Sequence, residues 1–158
     1  MYSLTILSLP LIAQSNSDNW PKWRGPNVDG VSPKGTPPTE WSETNNIKWK
    51  TPIPGKGIGT PVVWGDQIFV LTATKTDKKI ESKKEAPAGR GGRRMSMPPE
   101  NVLKFEILAI NRSDGSINWQ NTAREMLPHE GVHPTSTWAS NSPITDGEHI
   151  FAYFGSFG

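Results

Sequence analysis

Two histidines and a glutamate form the most suggestive chemical pattern in this chain. His129, Glu130 and His133 spell H-E-x-x-H, the pattern in which two imidazoles on one helix face bind zinc beside a catalytic glutamate. Prolines flank these five residues, a glycine interrupts them, and a residue before proline avoids the α-helical region. The remaining histidine, His149, falls on a predicted strand. We therefore predict an ordered loop rather than a zinc protease, and keep His129, Glu130 and His133 as a candidate ligand loop.

Two similar β-hairpins are the elements that must position this loop. Residues 59–73 contain two runs of β-branched and aromatic residues joined at Gly65-Asp66, which is typical of a tight hairpin turn. Residues 142–151 repeat much of this sequence at an offset of 82 residues, which aligns Pro61 with Pro143 and Gly65 with Gly147. A repeated hairpin indicates a repeat architecture.

The composition favours an all-β fold. Glycine and proline number 15 each in 158 residues, and no long stretch has the periodicity of an amphipathic helix. Seven tryptophans can each bury a large apolar surface. The absence of cysteine excludes disulfides, thiolate metal sites and cysteine nucleophiles.

The basic character belongs to one segment. Residues 75–100 hold eight basic and four acidic residues, and one branched aliphatic residue among them. Such a segment buries too little apolar surface to offset the entropy of ordering, so we predict a disordered insertion over 75–100. Residues 89–94 resemble an RGG patch, but the motif is not repeated and has no interleaved aromatics, which disfavours a nucleic-acid partner.

The N-terminal region divides into three parts. The apolar run 4–13 suits the core of a signal peptide over residues 1–15, with an irregular N-terminal strand as the alternative, and no segment is long enough to span a membrane. Residues 16–46 are rich in Trp, Pro and Gly and predict a surface loop pinned by indoles. Residues 47–51 alternate apolar and polar side chains and predict a half-buried strand.

A second strand pair follows the insertion and carries a family resemblance. Residues 102–110 predict a strand that turns through residues 111–115 into a partner. The stretch from Ala109 to Trp119 resembles the eleven-residue repeat A-x-D-x-x-T-G-x-x-x-W of PQQ-like, quinoprotein-type β-propellers. Ala109, Gly115 and Trp119 match it, while Asn111 replaces the aspartate and Asp114 the threonine.

This resemblance implies a partial propeller over residues 47–158. About one and a half four-stranded antiparallel blades are expected, as an N-terminal fragment of a larger protein, with Trp119 packed against a neighbouring blade. The opening stretch 18–30 is also similar to exported PQQ-like repeat proteins of planctomycete-type bacteria. The expected structural repeat positions are Pro61, Gly65, Ala109, Gly115, Trp119, Pro143 and Gly147.

The resemblance leaves two functions in view. The favoured one is an exported, non-catalytic scaffold of the periplasm or cell envelope that binds protein partners through its loops, as the similar outer-membrane assembly scaffold propeller does. The alternative is a PQQ-dependent dehydrogenase that oxidises alcohols or sugars with a quinone and calcium. No residue here matches that family's calcium or base positions, so we predict no catalytic residue, cofactor or metal. A small-molecule ligand is left open.

Overall fold

The computed structural model describes residues 18–32, 34–79 and 100–157. The regular secondary structure of these ranges is almost entirely strand, as predicted, and their one named helical element is a single 3-10 turn, Gly155–Phe157. The strands are β1 (Val62–Trp64), β2 (Gln67–Lys79), β3 (Asn101–Asn111), β4 (Ile117–Met126), β5 (Ile144–Thr145) and β6 (Ile150–Phe151). Across the described ranges, the search for a helix long and apolar enough to cross a membrane finds none. The predicted signal peptide lies outside the described residues.

The strands form two antiparallel sheets. One has four strands in the order β1-β2-β3-β4, and the other consists of β5 and β6. Each strand of the larger sheet is therefore hydrogen-bonded to its neighbour in sequence, which confirms the predicted antiparallel order. Neither sheet is closed.

The first hairpin has the predicted turn. Trp64 pairs with Gln67, so Gly65 and Asp66 are the two turn residues. Gly65 has φ of 56°, which suits the first central position of a type II′ turn and matches the twist of the flanking strands. The Asn19 side chain accepts a hydrogen bond from the Gly65 amide at 2.8 Å, which holds the N-terminal loop at this turn.

The second hairpin pairs the residues that correspond to the first. In the first hairpin Val62 faces Phe69 and Val63 faces Ile68. In the second, Ile144 faces Phe151 and Thr145 faces Ile150, which is the same register at the same offset. Pro61 and Pro143 each stand directly before the first strand of their hairpin.

Two hydrophobic clusters lie on one face of the larger sheet, and Leu108 and Ile110 are buried on the other face. Leu71 and Ala73 of β2 and Leu103 and Phe105 of β3 are buried on the first of these faces against Phe154 and Ala139. Towards the hairpin turn, Val62, Phe69 and Ala109 form a second buried cluster, with Ile150 of β6 packed against it. The second hairpin therefore covers this face of the larger sheet.

Residues 47–51 form no strand, so the strand predicted from their alternation is wrong. Trp49 instead donates its indole N–H to the Arg112 carbonyl at 3.0 Å, and the Thr51 hydroxyl donates to the Gly115 carbonyl. Both contacts tie the segment to the β3–β4 turn. Lys50, which stands between Trp49 and Thr51, is exposed. The segment is therefore held by a turn and not by a neighbouring strand.

β2 continues beyond the predicted start of the disordered insertion at residue 75. Its last five residues, 75–79, stay paired with β3 through Lys75 opposite Leu103 and Lys79 opposite Asn101. The Thr76 hydroxyl donates to the Val102 carbonyl at 2.9 Å, and Lys78 forms an ion pair with Glu125 at 2.7 Å. Cross-strand partners thus order a stretch that has little apolar content. Residues 80–99 of the predicted insertion lie outside the described residues.

The N-terminal loop joins the two sheets through its main chain. Trp20 and Val63 exchange both backbone hydrogen bonds, at 2.8 and 2.9 Å, and the Pro21 carbonyl accepts one from the Thr145 amide at 2.9 Å. The prediction that several indoles pin this loop is only partly right. Trp20 does so, whereas Trp23 and Trp41 are 66% and 68% exposed.

The β3–β4 turn uses two side chains as local caps. The Asn111 carbonyl oxygen accepts from the Ser113 amide at 2.8 Å, and an Asp114 carboxylate oxygen accepts from the Ser116 amide at 2.9 Å. Gly115 follows with φ of 77° and lies directly over the Trp49 ring. The two residues that depart from the family repeat thus both act as turn-forming side chains.

Ala109 and Trp119 meet within the same sheet. They are cross-strand partners, and the Trp119 ring lies 6.0 Å from that of Phe69. Trp119 therefore contacts its own sheet and is 38% exposed. Its expected packing against a neighbouring blade is not seen among the described residues.

Substituting alanine at Gly147 and at Gly65 should have unequal effects. Both glycines have positive φ, which costs a residue with a Cβ about 1–2 kcal/mol. A Cβ at Gly147 would in addition overlap the Trp64 ring, whereas the same atom at Gly65 has no neighbour within 4 Å. We expect Gly147→Ala to lower the free energy of unfolding by about 3 kcal/mol and Gly65→Ala by about 1 kcal/mol, measured by urea denaturation. Equal losses would show that Trp64 does not pack on the second hairpin.

Candidate functional site

The residues of the H-E-x-x-H pattern do not converge on one point. The His129 Nδ1 lies 3.0 Å from the Ser156 hydroxyl, and the His133 Nδ1 lies 2.8 Å from the Thr135 hydroxyl. Glu130 contributes its backbone carbonyl, which accepts the Trp138 indole N–H at 2.9 Å. These residues lie in a loop, so the helix that would aim both imidazoles at one metal is not formed. Over the three described ranges, no group of three or more His, Cys, Asp or Glu residues is arranged to hold a metal.

The three histidines make separate contacts. His129 and His133 each contact a hydroxyl at the distance that suits a base and a nucleophile. His149 instead contacts a carboxylate, with its Nδ1 3.4 Å from Asp146. Nucleophilic catalysis of the Ser-His-Asp kind needs the carboxylate, imidazole and hydroxyl in one chain of contacts. In the described part of the chain they are divided between different histidines.

Around His129 lies an open cleft that forms the candidate site. Its volume is about 180 Å³, below the 300–1,000 Å³ of typical small-molecule pockets. The wall is partly aromatic and partly polar, from the loop 129–132, the loop 137–141 and the residues after β6. Its lining residues include His129, Glu130, Trp138, Ser156 and Phe157. Such a shallow surface suits contact with a protruding side chain better than enclosure of a small molecule.

The hydrophobic core fixes the floor of this cleft. The Phe105 ring, fully buried on β3, lies 5.3 Å from the Phe154 ring and 4.9 Å from the Phe157 ring. Phe157 in turn stacks against His129 at 4.3 Å, with the Arg124 guanidinium 5.8 Å from its centre. The cleft is thus built on the larger sheet, and a cation stands at its rim.

The second wall is tied to the segment before the first hairpin. The Ile58 amide donates to the Ala139 carbonyl at 3.2 Å, and the Thr60 amide donates to the Ser142 hydroxyl at 2.8 Å. The cleft therefore has one wall held by the core and one held by backbone contacts.

A buried carboxylate escaped the sequence reasoning. Glu106 on β3 is only 4% exposed. Its oxygens accept from Gln120 at 2.8 Å, from Thr122 at 3.3 Å and from the Thr74 hydroxyl. The three partners stand on two neighbouring strands, which sequence periodicity cannot reveal.

Removing the Glu106 carboxylate should destabilise the larger sheet. Glu106→Ala removes a buried, charged acceptor of three hydrogen bonds, one from the half-buried Thr74 and two from the exposed Gln120 and Thr122, so we expect a loss of about 2–3 kcal/mol in the free energy of unfolding. Glu106→Gln keeps an acceptor oxygen and should lose about 1 kcal/mol. Glu148→Ala, at an exposed turn residue, is the matched control and should stay within about 0.5 kcal/mol. Urea denaturation measures all three, and a Glu106→Ala loss as small as the control's would contradict the role of Glu106.

Three carboxylates have a lowered pKa, and none of the three lines the cleft. The His149 and Glu148 amides donate to Asp146 and lower its pKa. The Ser116 hydroxyl and amide do the same for Asp114, and the hydrogen bond from Lys78 lowers the pKa of Glu125. Asp146 and Asp114 therefore stabilise turns, and Glu125 pairs with Lys78 near the ends of two strands.

The Asp146 turn should weaken in acid. Because the folded state lowers the pKa of Asp146, its stabilising contribution is present above the ordinary aspartate pKa of about 4 and is lost as the pH falls through the lowered value. Amide hydrogen exchange at Glu148 and His149 should therefore accelerate below about pH 4, relative to the intrinsic exchange rate of an unprotected amide at the same pH. Asp146→Asn keeps the acceptor oxygen without the titration and should show no such step. A step of equal size in Asp146→Asn would assign it to another group.

Comparison with known proteins finds no match, whether with protein-family models, with curated proteins or with solved structures.

Proposed function

We propose that this chain is part of an exported β-propeller repeat scaffold of the cell envelope, which binds protein partners through its loops. The observation that carries the proposal is the matched register of the two hairpins, Val62 with Phe69 and Ile144 with Phe151. An 82-residue offset conserved in pairing as well as in sequence supports two successive units of one repeat. The four-stranded antiparallel order of the first unit supports a blade.

The cleft beside His129 supports binding through loops. It is shallow, the half-buried Trp138 and Phe157 line it, and the Arg124 guanidinium lies 5.8 Å from the Phe157 ring. Tryptophan and arginine are enriched at the energetic centres of protein interfaces. A short partner segment with one apolar side chain and one carboxylate would match both the aromatic wall and the cation.

A photo-cross-linking residue placed at Glu130 tests this proposal. Glu130 lines the cleft and its side chain is exposed, so the full chain expressed in its source cells should give one discrete adduct with an envelope protein. Trp138→Ala removes the indole that holds the Glu130 carbonyl and should reduce the adduct by at least about tenfold, the equivalent of one interface hot spot. The same cross-linker at Glu40, exposed on the N-terminal loop, is the control position.

Native mass and visible absorbance of the protein purified from the same cells test the dehydrogenase alternative. A scaffold should show the native mass of a complex without quinone absorbance. Quinone absorbance that calcium chelation abolishes, together with dye reduction on addition of an alcohol or sugar, would favour the dehydrogenase over the scaffold.

In the cross-linking experiment, equal adducts from Glu130 and Glu40 would show that the cleft is no binding site.

A further inference from the structure

A second cleft, apart from the one beside His129, lies within residues 41–50. Its lining residues are two tryptophans, an isoleucine and three polar residues: Trp41, Trp49, Ile47, Ser42, Glu43 and Lys50. Its volume of about 510 Å³ falls within the range of small-molecule sites. We call it the indole cleft.

A tight turn of the backbone shapes one side of the indole cleft. Ser42 and Asn45 exchange both backbone hydrogen bonds, at 3.0 and 3.3 Å, across a two-residue turn. Asn46 follows with φ of 60°, a left-handed conformation that asparagine adopts more readily than most residues. Its side-chain amide donates to the Glu40 carbonyl at 2.7 Å. The chain therefore reverses direction between the two tryptophans of the cleft.

The Trp49 ring is fixed from behind by the β3–β4 turn. Its indole N–H donates to the Arg112 carbonyl at 3.0 Å, and Gly115 lies so close to the ring that a Cβ there would overlap it. A ring that is already held loses little freedom when a ligand stacks on it. Trp41, in contrast, is 68% exposed. The cleft thus combines one indole held by the larger sheet with one that is open to solvent.

The charged side chains of the indole cleft are one acid and one base. Glu43 Oε2 and Lys50 Nζ lie 3.3 Å apart, and the two side chains are 86% and 78% exposed. The cleft therefore has no net charge. An ion pair this exposed contributes little to stability, so a ligand can share its atoms at small cost. The pair offers a bound ligand one acceptor and one donor without attracting a net charge.

We propose that the indole cleft binds a neutral pyranose glycan. The C–H faces of a pyranose ring are apolar and can stack on an indole, and each of its hydroxyls can both donate and accept a hydrogen bond. Such a ligand donates to Glu43 and accepts from Lys50 while its C–H groups cover Trp41 and Trp49. Burial of the exposed indole surface drives this contact, and the two charged side chains orient the sugar.

Charged ligands and proline-rich peptides fit the cleft less well. A cation held by aromatic rings gains from a carboxylate beside it, but Lys50 already neutralises Glu43. An anion meets the reverse situation. A proline-rich segment suits aromatic grooves and supplies carbonyl acceptors for Lys50, but proline has no N–H to donate to Glu43. A neutral glycan satisfies both side chains.

Three neutral hexasaccharides, cellohexaose, chitohexaose and mannohexaose, are the probes for the cleft. Added to the full chain labelled with ¹⁵N, at least one should shift the indole N–H signals of Trp41 and Trp49, and a titration gives its Kd. Trp41→Ala should weaken binding by about tenfold or more, since it removes one stacking ring. Trp41→Phe keeps a ring and should lose about threefold or less. Trp23→Ala, at a tryptophan that is 66% exposed outside the cleft, is the matched control and should leave the Kd unchanged.

Further measurements separate a neutral glycan from the other ligand classes. Glu43→Ala removes the acceptor and should weaken sugar binding by about threefold or more, whereas any binding of decaproline should be unaffected. The Kd for the sugar should change by less than about twofold between about 50 and about 500 mM NaCl, because a neutral ligand is not screened. The methyl β-glycoside of the same sugar identifies the source. A Kd equal to that of the hexasaccharide assigns the cleft to a free monosaccharide, and a much weaker one assigns it to a polymer.

Each other outcome overturns the inference. Absence of a shift with all three hexasaccharides would do so, and so would binding that survives Trp41→Ala. Tighter binding of decaproline than of any sugar would assign the cleft to a peptide. An unchanged midpoint of urea denaturation shows that Trp41→Ala has kept the fold. The inference does not rest on the scaffold function, because the sugar titration and the cross-linking at Glu130 read different surfaces and can fail separately.

Discussion

The pairing of β2 with β3 is the interaction on which the rest of the structure depends. It runs from Gln67 opposite Asn111 to Lys79 opposite Asn101 and fixes which side chains reach each face. One face receives Leu71 and Phe105, and the other receives Glu106 with its hydroxyl and amide partners, beside the buried Leu108 and Ile110. A slip of one residue would exchange these two sets. The buried carboxylate and its partners therefore add to the apolar side chains in specifying the register.

Three tryptophans anchor segments that lie outside the strands. Trp20, Trp49 and Trp138 each donate the indole N–H to a backbone carbonyl, those of Trp23, Arg112 and Glu130. A ring that packs on one side and bonds on the other can fix a loop that has little regular structure. The cleft beside His129 depends on such an anchor, because Trp138 holds the loop that carries Glu130.

The sequence predicted local structure well and cross-strand structure poorly. Gly65-Asp66 and the Asn111–Gly115 turn could be recognised because a turn depends on the types of adjacent residues. The start of the insertion and the conformation of residues 47–51 could not, because both depend on partners distant in sequence, such as Val102 for Thr76 and Gly115 for Thr51. Glu106 was missed for the same reason. For the candidate loop, the prolines and the glycine around the H-E-x-x-H pattern correctly argued against a helix. The contact of His129 with Ser156 was not predictable, because the two residues are distant in sequence.

The Trp20–Pro21 segment has a consequence for the order in which the chain folds. Its main chain is bonded to Val63 on one side and to Thr145 on the other, so its final position needs both hairpins. The hairpins are local and can close early, whereas the contact with Thr145 closes a loop of about 120 residues, which is entropically costly and slow. During synthesis the N-terminal segment therefore emerges first and docks last. Its arrival at Thr145 marks the completion of the described architecture.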